Sequence, residues 1–367
     1  MIKEVRLEKF RSFKELKIAG FSRLNVFIGK NNLGKSALLE ALYLVALGAD
    51  LIHISPIWNI MRRRGLSQRF YNGSPEEVIS YLKSHFFYKN ESCAHIRIGT
   101  SQASHLHNFE FKEYEELLKI DDLIQKNPRI SLSTKRYLKK LNLREKYYVL
   151  ASLDENKTPV LLLLESERKK QFRIVYLNTN HQHSNSLKFL LDTCLLCECS
   201  NNISEIIKKL EPELNENVYN KLKKIFSGYF ETEIKSIEPS FSDLYVNINS
   251  HRIPFSMLGD GLRYFTLHYL ILNLRQTSYL FFEEPENYMH PNMLNSLVEE
   301  IVTSRHQIFI VTHNLEFLQK LLWKAKVKEQ DLKVFGFYSL SQGIPEIEIY
   351  DLKDAYINFN KLEIDLR

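Results

Sequence analysis

A chain of 367 residues is long enough for one large domain or two moderate ones with ample core. Its composition, 44% hydrophobic and 26% charged, is that of an ordinary soluble globular protein, and a net charge of +6 permits nucleic-acid binding without arguing for it. No apolar run approaches a membrane span, the N-terminus shows no signal-peptide pattern, and four cysteines without a regular framework fit a reducing cytoplasm.

Ile2, Val5 and Leu7, then Phe13, Leu16 and Ile18, alternate with polar residues as two half-buried strands do, turning near Arg11-Ser12. The apolar run Leu24-Asn25-Val26-Phe27-Ile28 predicts a further strand. Ala37 to Leu47 is apolar on nearly every side, which predicts a buried helix stopped at Gly48. Residues 51–235 are less regular. Ser74-Pro75-Glu76-Glu77 has the form of a capping box opening a helix toward Phe87, and a lysine- and arginine-rich stretch covers 113–146. Strand-like runs follow at 147–153, 159–164 and 172–177, then helical patterns at 186–197 and 203–228, and a hairpin over 244–255 turning at Asn249-Ser250.

The last third alternates helix and strand: a helix from Leu262 to Leu274, strand 279–282, helix 292–303, strand 307–312, helix 315–323, and two closing strands around Gln342-Gly343. That order predicts an α/β fold with a largely parallel sheet. Residues 1–50 and 236–367 are expected to be two parts of one core, with 51–235 inserted between them.

The motif with the most chemistry is Gly29-Lys30-Asn31-Asn32-Leu33-Gly34-Lys35-Ser36, a complete G-x-x-x-x-G-K-S phosphate loop between strand and helix. Backbone N–H groups from Gly29 through Asn31, Asn32, Leu33 and Gly34 to Lys35, Ser36 and Ala37 are expected to cradle phosphates at the positive end of the helix. Lys35 is placed to reach the β- and γ-phosphates and Ser36 to ligate Mg²⁺, so the chain is expected to bind ATP with Mg²⁺.

The strand Tyr279–Phe282 runs into Glu283 and Glu284. The first acid suits the metal shell and the second suits orienting and deprotonating an attacking water. A second strand, Ile308–Val311, ends in Thr312-His313-Asn314, where His313 could contact a γ-phosphate and sense its loss. Gly259-Asp260-Gly261 opens a helix with small residues, a second anion-binding surface that is also an ordinary turn pattern.

Phosphate loop, long insertion, glycine-bearing helix start, Glu283-Glu284-Pro285-Glu286-Asn287 with His290-Pro291, and strand-end His313 occur here in that order. The combination resembles the ABC-type ATPase heads of the RecF, SMC and OLD families, above all the stand-alone RecF-like AAA family ATPases related to OLD. Phe10-Arg11-Ser12-Phe13 and the run from Leu24 to Asn31 carry the same resemblance. It implies that two heads sandwich two ATP molecules, with Gly259, Asp260 and Gly261 of one subunit facing the γ-phosphate bound by the other. ATP-dependent dimerisation, action on DNA in repair or defence, and a separately encoded effector such as a nuclease are the partners implied.

The chain departs from that family in three places. Glu283 stands where Asp is usual, adding a methylene at a site of tight geometry. Asn32 stands where Gly is usual, which is expected to work through asparagine's tolerance of positive φ. The Ser256-to-Gly259 spacing is one residue longer than in the usual signature. The 220 residues between loop and signature (256 minus 36) contain no sustained heptads, excluding a long coiled-coil arm. The 54 residues after His313 (367 minus 313) leave no room for an OLD-type nuclease domain.

Met61-Arg62-Arg63-Arg64 and the set Lys135, Arg136, Lys139, Lys140, Arg144 and Lys146 read either as phosphate-binding faces or as solvated ones. Cys194, Cys197 and Cys199, with His181 and His183 upstream, read either as one apolar helix face with Leu190-Leu191 or as zinc ligands. Two rival functions stay open: an ATP-gated protein scaffold without DNA contact, and the nucleotide-binding subunit of a transporter. The second is disfavoured by Phe10-Arg11-Ser12-Phe13 and by Pro285-Glu286-Asn287.

Overall fold

The computed structural model describes residues 1–46, 84–91, 93–100, 104–110, 112–113, 147–152, 159–166, 171–176, 189–191, 214–239, 244–249, 251–274 and 279–361. The capping box at Ser74, the basic runs at 61–64 and 135–146, Gly48, and the His181, His183 and Cys194–Cys199 group lie outside these residues. The chain forms two compact units. One comprises Met1–Phe21, Asn32–Ser184 and Ser339–Glu346, the other Ser22–Asn31, Asn185–Tyr338 and Ile347–Arg367.

In the first unit, β1 (Ile2–Phe10) and β2 (Phe13–Ala19) form the expected hairpin, with Arg11 at φ 54° in its turn. Ile2, Val5 and Leu7 are buried, and the three-residue step from Ile2 to Val5 coincides with a register irregularity where β1 pairs β4 (Cys93–Thr100). The sheet continues antiparallel through β5 (Ser104–Glu110), β7 (Tyr147–Ser152), β8 (Pro159–Ser166) and β9 (Gln171–Tyr176), with β6 (Lys112–Glu113) also pairing β7. Helix α1 (Lys35–Ala46) belongs to this unit, and residues 37–43 of it are buried. Glu40 is among them, fully buried and ion-paired with Arg11 from the hairpin turn. A lone buried carboxylate would be strongly destabilising, so the pair fixes the turn against the helix.

The second unit is built on a six-stranded sheet in the order β10 (Phe189–Leu191), β14 (Tyr279–Glu283), β15 (Gln307–Val311), β3 (Leu24–Gly29), β16 (Leu332–Ser341), β17 (Ile344–Asp351). The pairs from β10 to β16 are parallel. Strands β16 and β17 meet through a two-residue turn, Gln342-Gly343, with φ of 51° and 80°, the backbone of a tight hairpin whose tip is counted with the first unit. The α/β fold with its largely parallel sheet is as the sequence predicts. One expectation fails: residues 189–191, read as helical within 186–197, form a strand parallel to β14. A short apolar run fits either period, and pairing with the sheet decides it.

One sheet face, including Val26, Phe282, Ile308, Ile310 and Val334, packs against α2 (Glu216–Phe230), α3 (Asp260–Leu272), α4 (Pro291–Thr303) and α5 (Leu315–Val327) in a continuous core. The opposite face carries an aromatic row across four strands. Phe281 stacks on Phe309 at 5.4 Å, Phe309 on Phe27 at 6.4 Å, and Phe27 tilts against Phe335 at 5.4 Å. Asn25, the one polar residue inside β3, donates to the carbonyls of Ser22 and Ile308 and accepts from the Ser22 N–H. A smaller antiparallel sheet, β11 (Ile234–Pro239), β12 (Leu244–Ile248) and β13 (His251–Pro254), includes the hairpin predicted over 244–255.

Candidate active site

The phosphate loop leaves β3 at Gly29, and its backbone is set by sterics. Gly29 has φ 128°, and a Cβ there would fall 2.1 Å from the Phe337 carbonyl oxygen on β16. Gly34 has φ 93°, and a Cβ would strike the Phe13 ring at 2.4 Å and the Ser12 hydroxyl at 2.8 Å. Phe10-Arg11-Ser12-Phe13 therefore packs directly on the end of the loop. Asn32 has φ 63°, the left-handed backbone expected of asparagine at that position. The Leu38 N–H takes the Gly34 carbonyl at 2.9 Å, so α1 starts without a break, with Lys35 buried and Ser36 half-buried at its first turn. Gly29–Asn31 belong to the second unit, and Asn32 onward to the first.

Within the second unit, register brings the other sequence candidates to one edge. Glu283 is level with Val311, and Val311 with Phe27, so the ends of β14, β15 and β3 open together at the C-terminal side of the sheet. Ligands of open parallel sheets bind at that side. Glu284 follows at φ 48°, a conformation that costs a non-glycine residue about 1–3 kcal/mol. It is held there because its N–H donates to the Val311 carbonyl at 2.7 Å and its own carbonyl accepts the Asn287 N–H at 3.1 Å. The Asn287 side chain donates to Glu284 Oε2 at 2.7 Å, and His313 Nε2 lies 3.9 Å from Glu284 Oε1. Glu284 and His313 line one cleft of about 550 Å³ together with Glu286, Asn287, Asn314 and Gln319.

Two polar residues in this cluster went unassigned by sequence reasoning. Glu286, 7% exposed, accepts a hydrogen bond from the Thr312 hydroxyl. Burial pushes its carboxyl up to about 7, and the Glu284 charge adds to the shift against the hydrogen bond from Thr312. Asn287 orients Glu284. Both stand in the Pro285-Glu286-Asn287 run that carries the family resemblance, which was the available signal.

Helix α3 starts where Gly259-Asp260-Gly261 predicts, with Gly259 as its N-cap. The two glycines differ. A Cβ at Gly261 would fall 2.4 Å from the Tyr288 carbonyl oxygen, so packing demands glycine there, whereas no described atom lies within 4 Å of one at Gly259. Tyr288, 64% exposed at φ 64°, stacks on Tyr264 of α3 at 5.3 Å. Asp260 pairs with Arg263 at 3.1 Å.

Ser36 in the first unit and Glu283 in the second each carry a hard oxygen donor of the kind Mg²⁺ takes, so each residue by its own chemistry fits that ion.

A phosphate loop running from a parallel strand into a helix, with acids at the end of a companion strand, defines a nucleoside triphosphatase of the P-loop class. Residues 1–318 match the AAA ATPase domain family, and the chain belongs to it and is an ATPase. A Helicobacter pylori protein described as an ATP/GTP phosphatase is 25% identical over 369 aligned positions, covering 90% of each chain. Among solved structures, an SMC head bound to the C-winged helix domain of ScpA aligns with a TM-score of 0.45 and 12% identity, covering 99% of each chain. The recombination mediator RecF aligns with a TM-score of 0.38 and 11% identity, covering 95% of this chain and 98% of its own. No helix among the described residues is long and apolar enough to cross a membrane.

Proposed function

We propose that this ATPase is a switch that dimerises around ATP and Mg²⁺ and couples hydrolysis to DNA, in repair or in defence against foreign DNA, with a separately encoded effector. Residues 1–50 and 236–367 supply the ATPase core, and 51–235 the insertion. Lys35 and the loop backbone would bind the phosphates, and Ser36 and Glu283 would each offer an oxygen to the metal. When bound, Mg²⁺ supplies charge neutralisation at the β- and γ-phosphates. Glu284 orients the attacking water and takes its proton as the water adds to the γ-phosphorus and ADP departs. His313 contacts the γ-phosphate. The observation that carries this reading is the held Glu284: a strained backbone, an Asn287 hydrogen bond at 2.7 Å and His313 at 3.9 Å, on the sheet edge where the phosphate loop begins.

Gly259 supports the dimer. Gly259, the N-cap of α3, faces open space among the described residues, which suits the approach of a second subunit. Exposed Met257 and Tyr288 belong to the same part of the second unit. The rival is an ATP-gated protein scaffold without DNA contact. ATP turnover by wild type and Glu284→Gln, with and without duplex and single-stranded DNA, tests both readings when combined with molar mass in ATP. The expected result is turnover raised by DNA, a loss of at least about 100-fold in the variant, and an ATP-trapped dimer. Turnover indifferent to DNA favours the scaffold, and an undiminished variant removes Glu284 from the chemistry.

A further inference from the structure

We infer that Glu286 is a positioning residue for His313, holding the turn after β15 through the hydroxyl of Thr312. The inference rests on the reading of Glu284 and His313 given above, and the geometry is specific. Thr312, 1% exposed, gives its hydroxyl hydrogen to Glu286 Oε1 and accepts the Asn314 backbone N–H at 3.0 Å. Its own N–H donates to the Phe27 carbonyl at 3.2 Å. Asn314 in turn caps α5, its side chain accepting the Phe317 N–H at 3.0 Å. His313 is thus bracketed by two residues tied into one hydrogen-bonded chain. That chain is anchored at the far end by an acid on the segment that also carries Glu284.

The Asn314 backbone N–H can only donate, so Thr312 accepts from it and gives its one hydrogen to Glu286. The arrangement has one polarity, and removing either end releases the turn. The Glu286 carboxyl also interacts with its own backbone N–H and with that of Asn314, so it reaches both sides of the turn. Glu286 also lines the cleft shared by Glu284 and His313, so the strut ends where the chemistry is proposed. Burial raises the pKa of this acid toward neutrality.

The test is steady-state ATP hydrolysis by the full chain carrying Glu286→Ala, Thr312→Val, both, or Glu286→Gln, with melting temperatures recorded. Glu286→Ala and Thr312→Val should each lower kcat about tenfold with KM for ATP within about twofold, as expected for lost positioning. The double variant should be no slower than either single one, because one chain is broken twice. Glu286→Gln keeps an acceptor for Thr312 and should retain most of the turnover. Thr312→Val removes only the hydroxyl, so it decides the matter if Glu286→Ala does not fold. Wild-type kcat in Thr312→Val, additive losses in the double variant, or a Gln variant as slow as the Ala one would each overturn the inference. Glu284→Gln and His313→Ala are assayed alongside. If both lose turnover while Thr312→Val does not, only this inference falls; if His313→Ala turns over like wild type, the reading of His313 falls and takes the inference with it.

Discussion

Strands β3 and β1 make opposite use of the same backbone geometry. Every residue of β3 is buried, whereas β1 and β2 expose about half of theirs. A strand covered on both faces can offer chemistry only where it ends, and the phosphate loop, Glu284 and His313 all follow such ends. A half-covered hairpin offers chemistry at its turn, and Arg11 and Ser12 do their packing there. The comparison separates rigid support from the residues it presents.

Four substitutions sharpen or break that contrast. The largest effect is expected for Phe309→Ala, at the centre of the aromatic row and fully buried, with a loss of about 3–5 kcal/mol in urea unfolding. The corresponding hairpin change, Leu16→Ala, should cost about 2–3 kcal/mol, and an equal cost would break the comparison. Next comes pH. His268 on α3 is fully buried against Phe282, and burial lowers its pKa to about 4. The unfolded chain therefore takes up this proton first as pH falls. Stability from His268 is complete above about pH 6.5, declines by about 1 kcal/mol per pH unit toward pH 4, and then levels. His268→Leu should remove that part of the slope when unfolding midpoints are compared between pH 7 and 4.5. The smallest effect concerns the exposed face of the hairpin, where Glu8 lies directly opposite Glu15. Glu15→Lys should stabilise by about 0.2–0.5 kcal/mol, read as a rise in melting temperature.

What the sequence made legible follows the same division. Continuous apolar runs bounded by turn residues marked β3, β14 and β15, and fixed motif spacing marked the loop, Glu283, Glu284 and His313. Asn32 could be read down to its backbone angle, because a left-handed conformation is a local property. Long-range partnerships could not be read. Nothing local in the sequence pairs Glu40 with Arg11 or Glu286 with Thr312. Leu190 and Leu191 satisfied two periods at once, and only β14 resolved them. In each case the deciding contact joins residues far apart in the chain, where periodicity carries no information.

The first glycine of the phosphate loop serves a neighbour that arrives 308 residues later (337 minus 29), since the Phe337 carbonyl occupies the space a side chain would need. The eight-residue motif is therefore not a portable cassette. Moved into another sheet, it would keep its letters and lose its shape unless a strand like β16 came with it. Conversely, a chain engineered to change β16 near Phe337 would alter nucleotide binding without touching a single residue of the motif.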